Sequence, residues 1–397
     1  MGDEQNRYIR EARSGDAIAL ARWLVSIPSV NPVLEEGGDG ESRIAAEVAE
    51  LLGSWGLQVA VTEAAPGRPN VVATLEGDGP TLLLNGHLDT VGVAGMTVPP
   101  FAASLEAGRL RGRGACDMKA GIASILAATH GLTRGGPRPH LMVALTADEE
   151  HASVGMAGLV AMFDDAGSLV RRPEMAIVCE PTSLTVMPAH KGFVWVRVDF
   201  RGRAAHGSRP DVGIDAIRHA GLYLAALDGY SDRLSARVEH PLLGHGSYHA
   251  GTIRGGRAES VYPDRCELVL ERRTLPGEAP ETIMAELEEV LDEVRSREPA
   301  LDASLRMTLA RPGTEVAGDH RLVRGLLDAC AESPAGSSIR GMTAWVDAAF
   351  LNEAGIAAVC FGPGSIEQAH THDEWVDVEE IRVCADVLER FARSLVR

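Results

Sequence analysis

A chain of 397 residues exceeds the length at which one hydrophobic core keeps growing, so two domains are expected. Its 45% apolar and 24% charged residues are ordinary for a globular protein in water, and a net charge of -18 argues against nucleic acid or anionic membrane as partners. Met1 to Arg10 lacks an apolar signal core, no apolar run reaches membrane-spanning length, and the six cysteines are dispersed without a Cys-x-x-Cys pair, so a cytoplasmic protein with reduced thiols is expected.

The first predicted helix is capped by Ser14 or Asp16 and stops before Pro28. A second spans about 41–55, with Ile44, Val48, Leu51 and Leu52 on one face. Strands are predicted at about 58–62, 71–75 and 81–84, a helix at 120–132, a strand at 141–146, a helix at 155–163 and a strand at 175–179. This alternation predicts an α/β fold, a mostly parallel sheet sandwiched by helices. The pattern changes near Lys191, where residues 193–200 alternate apolar and polar as in a sheet with one exposed face. A helix at 214–227, strands at 248–253 and 266–271, a helix at 281–295 and a strand at 303–309 follow. Strand-helix-strand-strand-helix-strand predicts a ferredoxin-like α+β insert. From about Gly318 the α/β pattern resumes, with a helix at 321–331, a strand at 357–361 and a last helix at 378–395. The expected organisation is one domain in two parts, 1–191 and 312–397, interrupted by another at 192–311.

Four short segments fall where predicted strands run out: Asn85-Gly86-His87-Leu88-Asp89, Cys116-Asp117-Met118-Lys119, Thr146-Ala147-Asp148-Glu149-Glu150 and Cys179-Glu180-Pro181-Thr182. A fifth, Ala369-His370-Thr371-His372-Asp373-Glu374, lies far downstream. Open α/β sheets bind their ligands at the carboxyl ends of their strands. His87 and Asp89 leave such an end on the same side, so an imidazole can bind metal through one nitrogen and donate to a carboxylate through the other. Alone, the pair reads equally as surface. Asp117 alone reads as a helix N-cap, or else as a carboxylate shared by two cations. The acidic run 148–150 alone reads as solvated surface, or else as a metal ligand beside a free carboxylate, the arrangement a general base needs. Glu180 alone is an exposed strand-end acid. Together they supply five nitrogen and oxygen ligands and one spare base, and the absence of thiolate suits a catalytic zinc site with open positions. Two metals sharing Asp117 is the economical arrangement for five ligands.

These motifs, with Gly112-Arg113-Gly114 ahead of Asp117 and Gly362-Pro363-Gly364 ahead of His370, resemble those of the zinc amidohydrolases that include acetylornithine deacetylase, succinyl-diaminopimelate desuccinylase, aminoacylase and glutamate carboxypeptidase. The resemblance spans nearly the whole chain. It implies a zinc-peptidase-like catalytic domain with an inserted lid and dimerisation domain, and a homodimer. It also implies two zinc ions per subunit, replaceable by cobalt or manganese. His87 and Glu180 would hold one metal, Glu150 and His370 the other, with Asp117 bridging, Asp89 orienting His87 and Glu149 as general acid/base. His372 falls at a variable position and stays outside the ligand set. The motif Gly202-Arg203-Ala204-Ala205-His206-Gly207-Ser208 implies that His206 stabilises the oxyanion from across a dimer. Arg273, before Thr274-Leu275-Pro276-Gly277, matches an arginine that binds substrate carboxylate; read from the residues alone, it is equally a strand-end salt bridge. Where many relatives carry asparagine before Val-x-Pro, this chain has Ser260-Val261-Tyr262-Pro263.

The activity these residues point to is hydrolysis of the amide of a small N-acyl amino acid, in the manner of a deacetylase or desuccinylase. A dipeptidase or carboxypeptidase with the same metals is the near alternative. The alternative of a different class is a catalytically silent binding protein of the same fold.

Overall fold

The computed structural model describes residues 10–164 and 170–396. Its strands, in chain order, are β1 (Gln58–Ala65), β2 (Arg68–Leu75), β3 (Thr81–His87), β4 (Ser104–Glu106), β5 (Arg109–Arg111), β6 (His140–Thr146), β7 (Met175–Val178) and β8 (Val186–His190). They continue with β9 (Gly192–Arg201), β10 (Ser247–Gly255), β11 (Arg265–Thr274), β12 (Asp302–Arg311), β13 (Thr314–Glu315), β14 (Ile339–Met342), β15 (Ala357–Cys360) and β16 (Trp375–Asp377). The chain divides into two compact units. The first holds the described residues up to Pro188, Val316–Arg340, and those from Val346 onward; the second holds Ala189–Glu315 with Gly341–Trp345.

In the first unit the sheet runs β1-β2-β6-β3-β7-β15-β8. Its centre, β6-β3-β7-β15, is parallel, and β1 and β2 flank it antiparallel. The period of two along a strand divides the side chains between two covered faces. Val71, Ala73, Leu82, Leu84, Leu141, Val143 and Leu145 join one apolar cluster with the helices Ala17–Val25, Ser42–Ser54, Ala120–Thr133, Arg321–Ala331 and Val378–Ser394. Their neighbours Val72, Leu83, Met142 and Ala144 are equally buried on the opposite face, where the helices Val154–Asp164 and Ala348–Glu353 pack. Burial on both faces explains why these strands read as continuous apolar runs.

The helix starts follow side-chain caps. Asp16 accepts from the Ala19 N–H at 2.8 Å, and Asp377 caps the last helix through Glu379 N–H. β2 begins earlier than the predicted 71–75, because Arg68 and Asn70 are buried in the strand. Arg68 pairs with Glu41 and Asp148, and Asn70 exchanges hydrogen bonds with Gly155 and Ala147. Polar residues satisfied only by distant partners carry no strand signal in sequence. β14, β4, β5 and β16, of three or four residues each, and β8, which contains Pro188, had no predicted counterpart. The cysteines are all buried and free of disulfides.

The second unit orders its strands β10-β11-β9-β12, each pair antiparallel, with two helices, Ala216–Ser235 and Pro280–Arg297, on one face. With chain order β9-helix-β10-β11-helix-β12, this is the ferredoxin-like arrangement. The first of its helices runs two turns past the predicted end at 227. Asp228-Gly229 reads as a stop, yet Tyr230 and Leu234 continue the buried stripe of Tyr223 and Leu227.

Candidate metal centre

The parallel register places three carboxyl ends side by side: His87 of β3 lies opposite Thr146 of β6, and Asn85 opposite Val178 of β7. The residues just beyond, Asp89, Asp148–Glu150 and Glu180, therefore collect at one edge of the sheet. Asp117 arrives from the turn leading into the helix Ala120–Thr133; its peptide bond to Met118 is cis.

His87 is buried, and its Nδ1 lies 2.9 Å from the Asp89 carbonyl oxygen and 3.6 Å from Asp89 Oδ1. A carbonyl only accepts, so Nδ1 carries the proton and Nε2 is aimed at Asp117 Oδ1, 3.1 Å away. The other oxygen of Asp117, Oδ2, lies 3.4 Å from Nε2 of His370, which also approaches Glu150 Oε2 at 3.0 Å. Asp117 thus turns one oxygen toward each of two imidazoles. Among the described residues, donor atoms of His87, Asp117 and Glu150 all lie within 4.8 Å of one another.

The supports of these groups are as specific as the groups themselves. Glu374, buried, accepts from Cys116 N–H (2.8 Å), Asp117 N–H (3.1 Å) and Gly114 N–H (3.1 Å), and pairs with Arg113 at 2.7 Å. The loop carrying Asp117 is therefore pinned by the segment that carries His370. Asp89 accepts from the backbone N–H of Glu149 at 3.1 Å and of Glu150 at 3.3 Å. Glu180 sits where two glycines let the chain pass closely. A Cβ on Gly121 would lie 2.1 Å from the Cys179 carbonyl oxygen, and one on Gly362 would lie 2.5 Å from the carbonyl oxygens of Cys179 and Glu180.

Four carboxylates, of Asp117, Glu149, Glu150 and Glu180, share this edge with two imidazoles. Burial pushes Glu180 up to about 8, reinforced by the Asp117 charge. Burial likewise raises Glu149 well above the usual carboxylate range, with Glu180, Asp347 and Glu150 adding repulsion. Burial opposes ionisation of Asp117 too, but His370 and His87 hold its carboxyl below the usual range. His370 is pushed up to about 10 by Asp117 and Glu150. Glu180 Oε1 is buried with no hydrogen-bond partner. An excess of buried carboxylates over imidazoles, oxygen and nitrogen donors within ligand reach, and an orphaned carboxylate oxygen fit a divalent cation.

Sequence alone gives no role to Glu374 or Asp347. Glu374 lay within a quoted motif, and only the fold shows that it holds the Asp117 loop. Asp347, ahead of the short helix Ala348–Glu353, carries no signal beyond a helix-start acid, yet its charge acts on both Glu149 and Glu180.

His206 and Arg273 belong to the second unit. His206 is exposed; Ser208 N–H donates to its Nδ1 at 3.2 Å, and Ser208 Oγ lies 2.8 Å from the same atom. Accepting at Nδ1 leaves the neutral ring's proton on Nε2. Arg273 donates to the Thr343 carbonyl at 2.6 Å, lies 3.8 Å from Glu271, and faces the Phe193 ring at 5.7 Å.

Fold and donor set define a metal-dependent hydrolase of amide bonds. The chain belongs to Peptidase family M20/M25/M40, which residues 83–394 match. It is 35% identical over 329 residues to an acetylornithine deacetylase of Myxococcus xanthus, covering 81% of this chain and 82% of that one. It is 31% identical to an acetylornithine deacetylase of Proteus mirabilis, over 94% of each chain. Among solved structures, an aminopeptidase of Bacillus cereus superposes with TM-score 0.77 at 20% identity over 99% of each chain. A tripeptidase of Staphylococcus aureus gives 0.78 at 21% identity, over 97% of this chain and 99% of that one. No helix among the described residues is long and apolar enough to cross a membrane.

Proposed function

We propose that this protein is a dinuclear zinc hydrolase that removes the acyl group from a small N-acyl amino acid. The observation that carries the reading is the pose of Asp117, one oxygen toward His87 Nε2 and the other toward His370 Nε2. A carboxylate so placed is built to be shared by two cations. His87 and Glu180 would hold one and Glu150 and His370 the other, with Asp89 fixing the tautomer of His87. When bound, the metal pair supplies Lewis acidity that eases deprotonation of water and polarises the acyl carbonyl.

Glu149, next to a ligand but not assigned as one, takes the proton of the attacking water and returns it to the departing amine nitrogen. Burial and the neighbouring carboxylates push its pKa up, which favours holding the proton once it is taken. His206, with its proton on Nε2, donates to the oxyanion, in trans from a second copy; Arg273 grips the free carboxylate of the substrate. The residues 192–311 act as lid and dimerisation domain. The homodimer reading is supported by β10, an exposed edge strand with Ile253 50% exposed, offering unpaired backbone groups to a second copy. A cytoplasmic setting is supported by the free, buried thiols.

The curated relatives named above favour deacylation, whereas the solved structures of like fold are peptidases. The deciding measurement is a panel of N-acetyl, N-succinyl and N-carbamoyl amino acids against dipeptides, on zinc- and cobalt-loaded protein. Preference for an acyl amino acid is the expected result. Preference for dipeptides would overturn the deacylase assignment and leave a peptidase at the same centre.

A further inference from the structure

Asn31 sits between the ends of β3 and β6. Its backbone is fixed by pairing with the segment after β3: Asn31 N–H donates to Thr90 O at 2.9 Å, and Thr90 N–H to Ser29 O at 3.0 Å. Its Oδ1 accepts from Val33 N–H at 3.1 Å, which settles which end of the side-chain amide is the NH2 group. Nδ2 then donates to two carboxylates at once, Asp89 Oδ2 at 2.8 Å and Asp148 Oδ1 at 3.0 Å. All three side chains are buried.

Two carboxylates brought to neighbouring strand ends away from water both need hydrogen-bond donors. An amide NH2, with two donors and no charge, satisfies both. Arg68 grips Asp148 from another direction, and Glu41 holds Arg68 at 3.1 Å and accepts from Asp148 N–H at 3.2 Å. Asp148 has φ of 68°, a left-handed state that a residue with a side chain keeps only when its surroundings enforce it. Beyond that turn, the Asp89 carboxylate receives the N–H groups of Glu149 and Glu150.

We infer that Asn31 is a positioning residue for the pair Glu149–Glu150. It bridges Asp89 to the Arg68-paired Asp148, and the two carboxylates then set the direction in which each glutamate leaves the chain. This rests on the hydrolase reading above, which gives Glu149 and Glu150 different tasks.

The test compares Asn31→Ala and Asn31→Thr with the parent, full length, by three measurements. They are metal content, kcat and KM on the preferred acyl amino acid, and backbone hydrogen exchange of residues 146–153 in metal-free protein. Asn31→Ala is expected to lower kcat by about tenfold to a hundredfold, in the range of groups that orient metal ligands. KM should stay near the parent's, and exchange should quicken in 146–153 alone. Asn31→Thr, which keeps one donor, should fall between the two. Parent-like kcat with parent-like exchange overturns the inference, and so does faster exchange spread across the whole first unit, the mark of general destabilisation. A parent that hydrolyses nothing in either metal form sinks the hydrolase reading instead, and the exchange measurement then decides the role of Asn31 alone.

Discussion

At the edge of the parallel sheet, His87, Asp117 and Glu150 are shielded from water and anchored through Asp89, Glu374 and the strands themselves. In the second unit, His206 is exposed and its ring meets Ser208, while Arg273 is tied to the Thr343 carbonyl with Glu271 at a loose 3.8 Å. The first arrangement gathers more buried carboxylates than imidazoles at one place, which suits a cation. The second holds its donors through local partners and packs no cluster of carboxylates around them. On the proposed reading, His87, Asp117 and Glu150 would be preorganised for metal, and the roles proposed for His206 and Arg273 would be taken up when substrate binds.

Substitutions on the two sides should separate accordingly. Asp117→Asn removes the charge between the two imidazoles while keeping the side chain's shape. Metal content measured by elemental analysis should collapse, and turnover should fall below detection with it. A metal-replete, active Asp117→Asn protein would remove Asp117 from the centre. Glu149→Ala should keep its metal yet lose about a hundred- to ten-thousandfold in kcat, the usual contribution of a positioned base. Parent-like turnover there would hand the proton to another group. His206→Ala should leave metal and thermal stability unchanged and lower kcat by roughly a hundredfold or more, as for the loss of one oxyanion donor. Were His206→Ala to shed metal, the division between the two units would be wrong.

Sequence and structure part company at identifiable residues. The buried strands β3, β6 and β7 were legible because both faces are apolar, and the acids after them because strand ends are where α/β sheets work. The ferredoxin-like insert was legible from its alternation and its order of elements. What could not be read were groups whose meaning lies in a distant partner. Arg68 in a strand, Asn31 ahead of a proline, and Glu374 some 257 residues from Asp117 become informative only when the fold delivers their hydrogen-bond partners. The predicted end at 227 falls short of the helix Ala216–Ser235 because Asp228-Gly229 has the local chemistry of a stop, which burial of Tyr230 and Leu234 overrides.

The smallest expected effect probes the charge balance itself. Glu180 is pushed from an ordinary carboxylate value to about 8 by burial and by Asp117, so in the metal-free fold its neutral form is preferred. Its contribution to stability is intact below the unfolded value near 4.5 and is lost progressively as pH rises toward 8. Glu180→Gln is neutral at every pH. Metal-free Glu180→Gln should therefore match the parent's melting temperature near pH 5 and exceed it by a few degrees, roughly, near pH 8. Added zinc should reverse the order, because the parent gains a ligand that the amide does not replace. The crossing of the two melting curves on metal addition is the signature of a carboxylate kept buried for a cation. Parallel curves with and without metal would mean that Glu180 is neither destabilised by its neighbours nor used by the metal, and the proposed centre would lose one of its five assigned ligands.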